Sequence, residues 1–328
     1  MTTQELFNEF LERVVNLNPD RVKRIKEAQR ILAEFISNHP DFKDLFIDSI
    51  VQGSARQKTI IKPTGKNGSF DVDLLIRLKK HPSWTPKQYL TKLAEAFRAS
   101  GRYEDITDTN GKTRCVTIDY EGDFHVDLVP GVLQEDGSFS ICNKNTDKFE
   151  PTDGDGYAKW FEQCDFNAKN CLVLVVRLIK LLRDDKGEFS TKSIILTTIA
   201  ANQISAAEAV AGAYKDIPCA LTSVLCKMNE FLSANDGPPT IVNPAMPGEN
   251  FNRHWKNDKE GYKKFKAAIS DYAKKAATAN QALDLEESIK LWRKLFGDSF
   301  GIETGCTSSS NPGNKYAVPF IPKSPWGI

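Results

Sequence analysis

The chain has 328 residues, of which 40% are hydrophobic and 27% charged, and its formal net charge is +1. That length exceeds the size at which one hydrophobic core usually stops growing, so two lobes with a cleft between them are expected. No stretch approaches the roughly eighteen apolar residues of a membrane span, and near-neutral charge gives no reason to expect strong, sequence-independent DNA binding.

The opening MTTQELFNEF carries acids and no basic leader before an apolar run, which argues against a secretory signal and for a cytoplasmic location. Leu6, Phe7, Phe10, Leu11, Val14 and Val15 recur at helical spacing. Asn18 then reads as an N-cap with Pro19 at the first helical position. The helix that follows would bury Val22, Ile25, Ile31, Leu32, Phe35 and Ile36, and break near Asn38-His39-Pro40. Leu45 to Val51 reads as a short strand leading into the small-residue turn Gly53-Ser54-Ala55. From Phe70 to Leu78 the pattern alternates: Phe70, Val72, Leu74, Ile76 and Leu78 point one way, Asp71, Asp73, Leu75 and Arg77 the other.

Pro86 to Ala99 has a helical pattern. Thr113 to Tyr120 and Phe124 to Val129 read as strands joined by the tight turn Glu121-Gly122-Asp123, with Asp127 on the face opposite Phe124, Val126 and Leu128. From about Thr152 the character becomes helical, over Ala168 to Arg183, Thr191 to Ile204, Ile217 to Leu232, Glu260 to Ala276 and Leu283 to Phe296. The expected division is a sheet-bearing lobe with N-terminal bracing helices over 1–155, a helical lobe over 156–302 and a flexible tail over 303–328. The seven cysteines are an odd set without a CxxC pair, which fits reduced structural thiols better than disulfides or zinc. Basic runs such as Lys256 to Lys266 alternate with acids, as solvated helix faces do.

Phosphoryl transfer from a nucleoside triphosphate needs charge neutralisation on the phosphates and activation of an attacking hydroxyl. Two divalent ions about 3.5 to 4 Å apart can do both. Asp71 and Asp73 share one strand face, and Asp127 on a following strand can close such a site if its strand pairs beside theirs. Any one strand aspartate alone is more simply a solvent-facing acid. Their company adds weight: Gln52-Gly53-Ser54 ends the preceding strand, where a glycine lets backbone approach a phosphate and a serine donates a hydrogen bond.

The ordered set GSARQKTI, DVDLLI and VDLVP, each at a strand end, resembles the CD-NTase family. These are bacterial cyclic-oligonucleotide synthases, relatives of cyclic GMP-AMP synthase and oligoadenylate synthase within the polymerase beta superfamily. The resemblance covers nearly the whole chain. It implies an α/β fold, a polymerase beta-like nucleotidyltransferase core with a mixed sheet plus a helical second lobe. It also implies a template-independent transferase that makes a cyclic di- or trinucleotide second messenger from triphosphates, ATP and/or GTP, with release of pyrophosphate. Asp71, Asp73 and Asp127 would hold two magnesium ions, for which manganese can substitute, and Gln52, Gly53 and Ser54 would bind the donor triphosphate.

In the helical half the resemblance places Lys180, in the run Arg177-Leu-Ile-Lys180, and Ser193 as grips on the triphosphate; a snorkelling lysine and a helix-start serine are the plainer readings. Val242 to Phe251, followed by Trp255, resembles the family's DPxxPxxN motif, with Asn243 where relatives often have Asp, so packing is the role expected there. His125 shares the Asp127 face but has no second histidine to make a metal site, and the zinc insertion of the animal DNA sensor is absent. The implied partners are a separate effector reached through the product, in anti-phage signalling, and regulatory proteins of a defence operon. The ending Trp326-Gly327-Ile328 departs from the terminal glycine through which some relatives are conjugated. Two rivals stand beside this reading: a transferase that modifies an RNA end or small acceptor, and a nucleotide-binding pseudoenzyme.

Overall fold

The computed structural model describes residues 1–64, 69–120, 124–251, 255 and 258–302. The turn at 121–123, the tail at 303–328 and part of the basic run at 256–266 lie outside the described residues.

Helix α1 (Thr3–Phe10) opens on a capping box between Thr2 and Glu5 and passes into a π-helical turn, Leu11–Val15. Helix α2 (Pro19–Asn38) starts where the sequence predicts, with Asn18 Oδ1 accepting from the Asp20 amide at 2.8 Å and proline in the first turn. It stops where Pro40 favours an extended backbone at His39. Strand β1 (Phe46–Gln52) runs directly into a one-turn helix, α3 (Gly53–Arg56).

Among the described residues, seven strands form one mixed sheet: β1, β2 (Asp71–Leu78), β3 (Thr107–Asp108), β4 (Val116–Tyr120), β5 (Phe124–Leu133), β6 (Phe139–Asn143) and β7 (Lys148–Thr152). Their order is β1-β2-β5-β4-β3, with β6 paired to the far half of β5 and β7 beside β6. Among the described strands of this sheet, only β2 and β5 run parallel. Helix α2 packs against β1 and β2, and α4 (Pro86–Arg98) against β3, β4, β6 and β7. Val72, Leu74, Ile76, Val126 and Leu128 are at most 1% exposed, each contributing about 1.5 to 3 kcal/mol by leaving water. One face of β2 and β5 is thus committed to the core, and the alternate residues, Asp71, Asp73 and Asp127 among them, take the other.

The remaining elements are α5 (Gly154–Asn167), α6 (Leu172–Lys186), α7 (Ser193–Asn202), α8 (Ala206–Val210), α9 (Ile217–Ser233), the hairpin β8 (Val242–Asn243) with β9 (Met246–Asn250), α10 (Lys259–Asn280) and α11 (Leu285–Phe296). The long helix expected from Ala168 begins only at Leu172, because Lys169 and Asn170 adopt left-handed φ values of 53° and 63°. Helix α5 fills the interval before them. Its start, TDGDGY, is turn-like in composition, yet Asp153 accepts from the Gly156 amide at 2.7 Å and Tyr157, Ala158 and Phe161 are buried.

Contacts divide the chain into two compact units. One comprises Asn18–Glu162 with Val242–Glu249; the other comprises Met1–Leu17, Gln163–Ile241 and Asn250 onward. A division in chain order at residue 155 would leave α1 with the sheet. Instead Phe7 packs edge-on to Trp292 at 4.9 Å and to Phe300 at 4.9 Å, and Phe10 lies 5.3 Å from Phe296, which ties α1 to the helical unit. Among the described residues no helix is long and apolar enough to cross a membrane, and the six described cysteines are all free.

Candidate active site

Parallel pairing sets Asp73 of β2 directly opposite Asp127 of β5, with Asp71 opposite His125 two residues earlier. The three acids therefore sit at the start of two adjacent strands, on the face that the core does not use. Antiparallel pairing of β1 with β2 places Gln52 opposite Asp73, so the Gly53-Ser54 turn begins at the same point. Gly53 has φ +60°, and a Cβ there would collide with Asp73 Oδ2. Both observations require glycine: the backbone is left-handed and the Asp73 carboxylate lies against it. The Gln52 side chain lies against Gly154 at the start of α5, where a Cβ would again have no room.

Electrostatics mark this cluster. Asp73 is pushed up to about 6, first by burial and then by the charges of Asp127 and Asp71, with Lys112 pulling the other way. Asp127 accepts from Thr117 Oγ1 at 2.5 Å, and Lys112 Nζ donates to both its oxygens at 3.2 and 3.3 Å. Beside them the Cys115 thiol is pushed up to about 12 by burial and by Asp127, so it is an un-ionised packing group. His125 shares a 3.0 Å hydrogen bond with Ser69 and lies 3.1 Å from Asp119, which holds it at the edge of the cluster as a polar neighbour.

Among the described residues no three His, Cys, Asp or Glu side chains are grouped as a ready metal cage. The backbone positions converge, but Asp73 rests on Gly53 while Asp127 is engaged by Lys112 and Thr117. The donor set still fits a hard divalent cation. It is made of carboxylate oxygens, which suit magnesium or manganese, and burial together with the neighbouring acid charges destabilises the ionised Asp73 until something positive offsets them.

On the same sheet face, a cavity of about 440 Å³ lies between Gln52, Leu75, Arg77, Phe139 and the start of α5 at Asp153 to Asp155. Arg77 is doubly hydrogen-bonded to Asp48 and lies 5.1 Å above the Phe139 ring. Sequence reasoning missed this cavity, because it left β6, β7 and the start of α5 unassigned. It also missed Thr117 and Lys112. The first was within reach, since antiparallel pairing of β4 with β5 puts Thr117 opposite Asp127; nothing local marks the second.

Lys180 and Ser193 belong to the helical unit. Lys180 is 3% exposed on α6 and its pKa falls to about 7, through burial and then Arg183, against the attraction of Asp184. Arg183 donates to Ser193 Oγ at 3.0 Å and to the Thr191 carbonyl at 3.1 Å, so the serine at the head of α7 is held by a guanidinium. Asn243 is buried in the β8–β9 turn, where its side chain donates to Glu249 at 2.8 Å and accepts from the Ala245 amide at 2.9 Å. That is the packing role expected of it, although the hairpin groups with the sheet unit and not with the helices. Trp255 is buried against Tyr262 and Phe265.

The sequence pattern described as the Second Messenger Oligonucleotide or Dinucleotide Synthetase domain matches residues 1–165, half of the chain. The chain belongs to this family. This synthetase is 28% identical over 312 residues to a c-di-GMP synthase of Roseivirga ehrenbergii, a match covering 86% of this chain and 81% of that protein. It is 22% identical over 307 residues to a cyclic AMP-AMP-AMP synthase of an Acinetobacter species, covering 92% and 86%. Among solved structures, that of the Bradyrhizobium diazoefficiens CD-NTase CdnG in complex with GTP aligns with a TM-score of 0.70 at 15% identity, over 91% of this chain and 95% of that one. The resemblance read from the three motifs is thereby borne out, as are the fold class and the reaction class. The synthetase is a nucleotidyltransferase that makes a cyclic oligonucleotide second messenger, in a family that uses nucleoside triphosphates and divalent metal ions.

Proposed function

We propose that this synthetase joins purine nucleoside triphosphates, GTP first among them, into a cyclic dinucleotide at the Asp71, Asp73 and Asp127 cluster, releasing pyrophosphate. The observation that carries the site is Asp73 facing Asp127 across parallel strands beside a glycine that only glycine can fill. The observation that favours guanosine is the c-di-GMP synthase relative, at higher identity than the AMP-AMP-AMP synthase.

In this reading the three aspartates hold two magnesium ions, or manganese in their place. Bound there, the metal would neutralise the triphosphate and acidify the acceptor hydroxyl. Gln52, Gly53 and Ser54 orient the donor phosphates by backbone and side-chain donors, and Thr117 fixes the rotamer of Asp127. Lys180 and Ser193 grip the triphosphate, and Arg183 orients the serine. The cavity bordered by Gln52, Arg77 and Phe139 is of a size that takes part of a substrate nucleotide. The product acts on a separate effector in anti-phage signalling, with regulatory proteins of the same operon as further partners.

The test is to incubate the purified protein with each ribonucleoside triphosphate, singly and in pairs, with magnesium or manganese, and to follow pyrophosphate and products by mass spectrometry. A cyclic di-guanosine product that disappears in Asp71→Asn with Asp73→Asn is expected. Addition of single nucleotides to RNA would favour the rival transferase, and binding without pyrophosphate release the pseudoenzyme.

A further inference from the structure

Lys112 lies on the loop between β3 and β4, outside every motif that identifies the site, yet its ammonium bonds Asp127 and its charge acts on the other two acids. It donates to both oxygens of Asp127 at 3.2 and 3.3 Å, and its charge is felt at Asp73 and at Asp71. The loop that carries it is shaped and anchored. Asp108 Oδ1 accepts from the Asn110 amide at 2.8 Å, Gly111 takes a φ of 65°, and Lys144 bonds the loop on either side of Lys112. Its ammonium donates to the Thr109 carbonyl and its amide to the Thr113 carbonyl, each at 2.9 Å. Asp127 is only 14% exposed while Lys112 keeps 33% of its side chain in solvent, so the lysine can swing outward and the aspartate cannot.

We propose that Lys112 is a resident counter-cation of the carboxylate cluster, an ammonium that neutralises Asp127 in the absence of metal and must withdraw before a divalent cation is held there. The inference rests on the reading of Asp71, Asp73 and Asp127 as metal ligands. Its physical basis is competition: an ammonium and a divalent ion want the same carboxylate oxygens, and one group cannot satisfy both at full strength. The lysine keeps the crowded acids folded together before substrate arrives. It also sets a threshold against loose metal, so that occupation favours metal arriving with a triphosphate.

The experiment compares wild type, Lys112→Met and Asp73→Asn as full chains, without nucleotide. Manganese binding is followed by electron paramagnetic resonance, and thermal unfolding is followed in chelator and in manganese. Lys112→Met should bind manganese about tenfold more tightly, as expected when a competing charge-assisted hydrogen bond is removed. It should also unfold at lower temperature in chelator and gain more from manganese than wild type does. Unchanged or weaker manganese binding, with equal loss of stability in both buffers, would show a merely structural lysine and overturn the proposal. Asp73→Asn separates the two claims: if it binds manganese like wild type, the metal-ligand reading has failed. If it loses binding while Lys112→Met changes nothing, only the counter-cation has failed.

Discussion

Lys180→Met separates the burden of burying an ammonium from the work that ammonium does. The fall from an ordinary 10.5 to about 7 corresponds to a penalty approaching 5 kcal/mol below pH 7, at about 1.4 kcal/mol per pH unit. The unfolded chain takes up the proton below 10.5 and the folded chain only below about 7. Stability from this group is therefore full above 10.5 and is lost as pH falls toward 7, with about 2 kcal/mol of the loss between pH 9 and pH 7. Methionine fills similar volume without charge. At pH 7 the variant should be more stable by about 2 to 4 kcal/mol, relaxation around the wild-type ammonium accounting for the rest of the ceiling. Its stability should also depend less on pH between 7 and 9. Calorimetric unfolding of the full chain at both pH values measures this. Buried thiols such as Cys142 and Cys171, pushed up to about 12, stay protonated throughout and do not confuse the comparison. If Lys180 also grips the triphosphate, KM for the nucleotide rises about tenfold or more in the same protein. A variant less stable than wild type at pH 7, or one with an unaltered pH slope, would refute the burial argument.

Gly53→Ala should lose at least about a hundredfold in pyrophosphate release, because the new methyl meets Asp73 Oδ2 in a left-handed backbone; circular dichroism should show the fold retained. Asp73→Asn should abolish turnover yet stabilise the metal-free protein at pH 7. With a folded pKa of about 6 against 3.8, wild type loses up to about 3 kcal/mol as pH rises through 6, and the asparagine removes that loss. Chemical unfolding in chelator near pH 4 and pH 7 should find the two proteins alike at the lower value and apart at the higher. Trp292→Ala, which empties the fully buried space against Phe7 and Phe296, should cost about 3 to 5 kcal/mol in urea unfolding. Trp292→Phe should cost much less, since the indole N–H it removes has no hydrogen-bond partner among the described residues.

What could be read in advance was whatever repeats over a few residues. The period-two alternation of β2 and β5 put Asp71, Asp73 and Asp127 opposite the apolar residues before any strand partner was known, and the caps at Asn18 and the break before Pro40 set the bounds of α2. What decided whether those acids meet was not local. The parallel β2–β5 pairing joins segments separated by a helix and two strands, and its register comes from long-range burial that no window of sequence contains. The same limit hid β6 and β7, two five-residue strands joined by the polar turn Lys144 to Asp147, and hid α5, whose opening looks like a turn until Asp153 caps it.

The residues that escaped notice act through others already recognised: Thr117 on Asp127, Lys112 on Asp127, Arg183 on Ser193. A motif records the groups that touch substrate, because chemistry fixes their type and spacing. The groups that hold them in place need only reach, and a four-carbon lysine or a long arginine can reach from many positions in the chain. Variation among such synthetases in metal threshold and nucleotide affinity is therefore expected to lie in these supporting side chains, and less in the three aspartates whose register the sheet dictates.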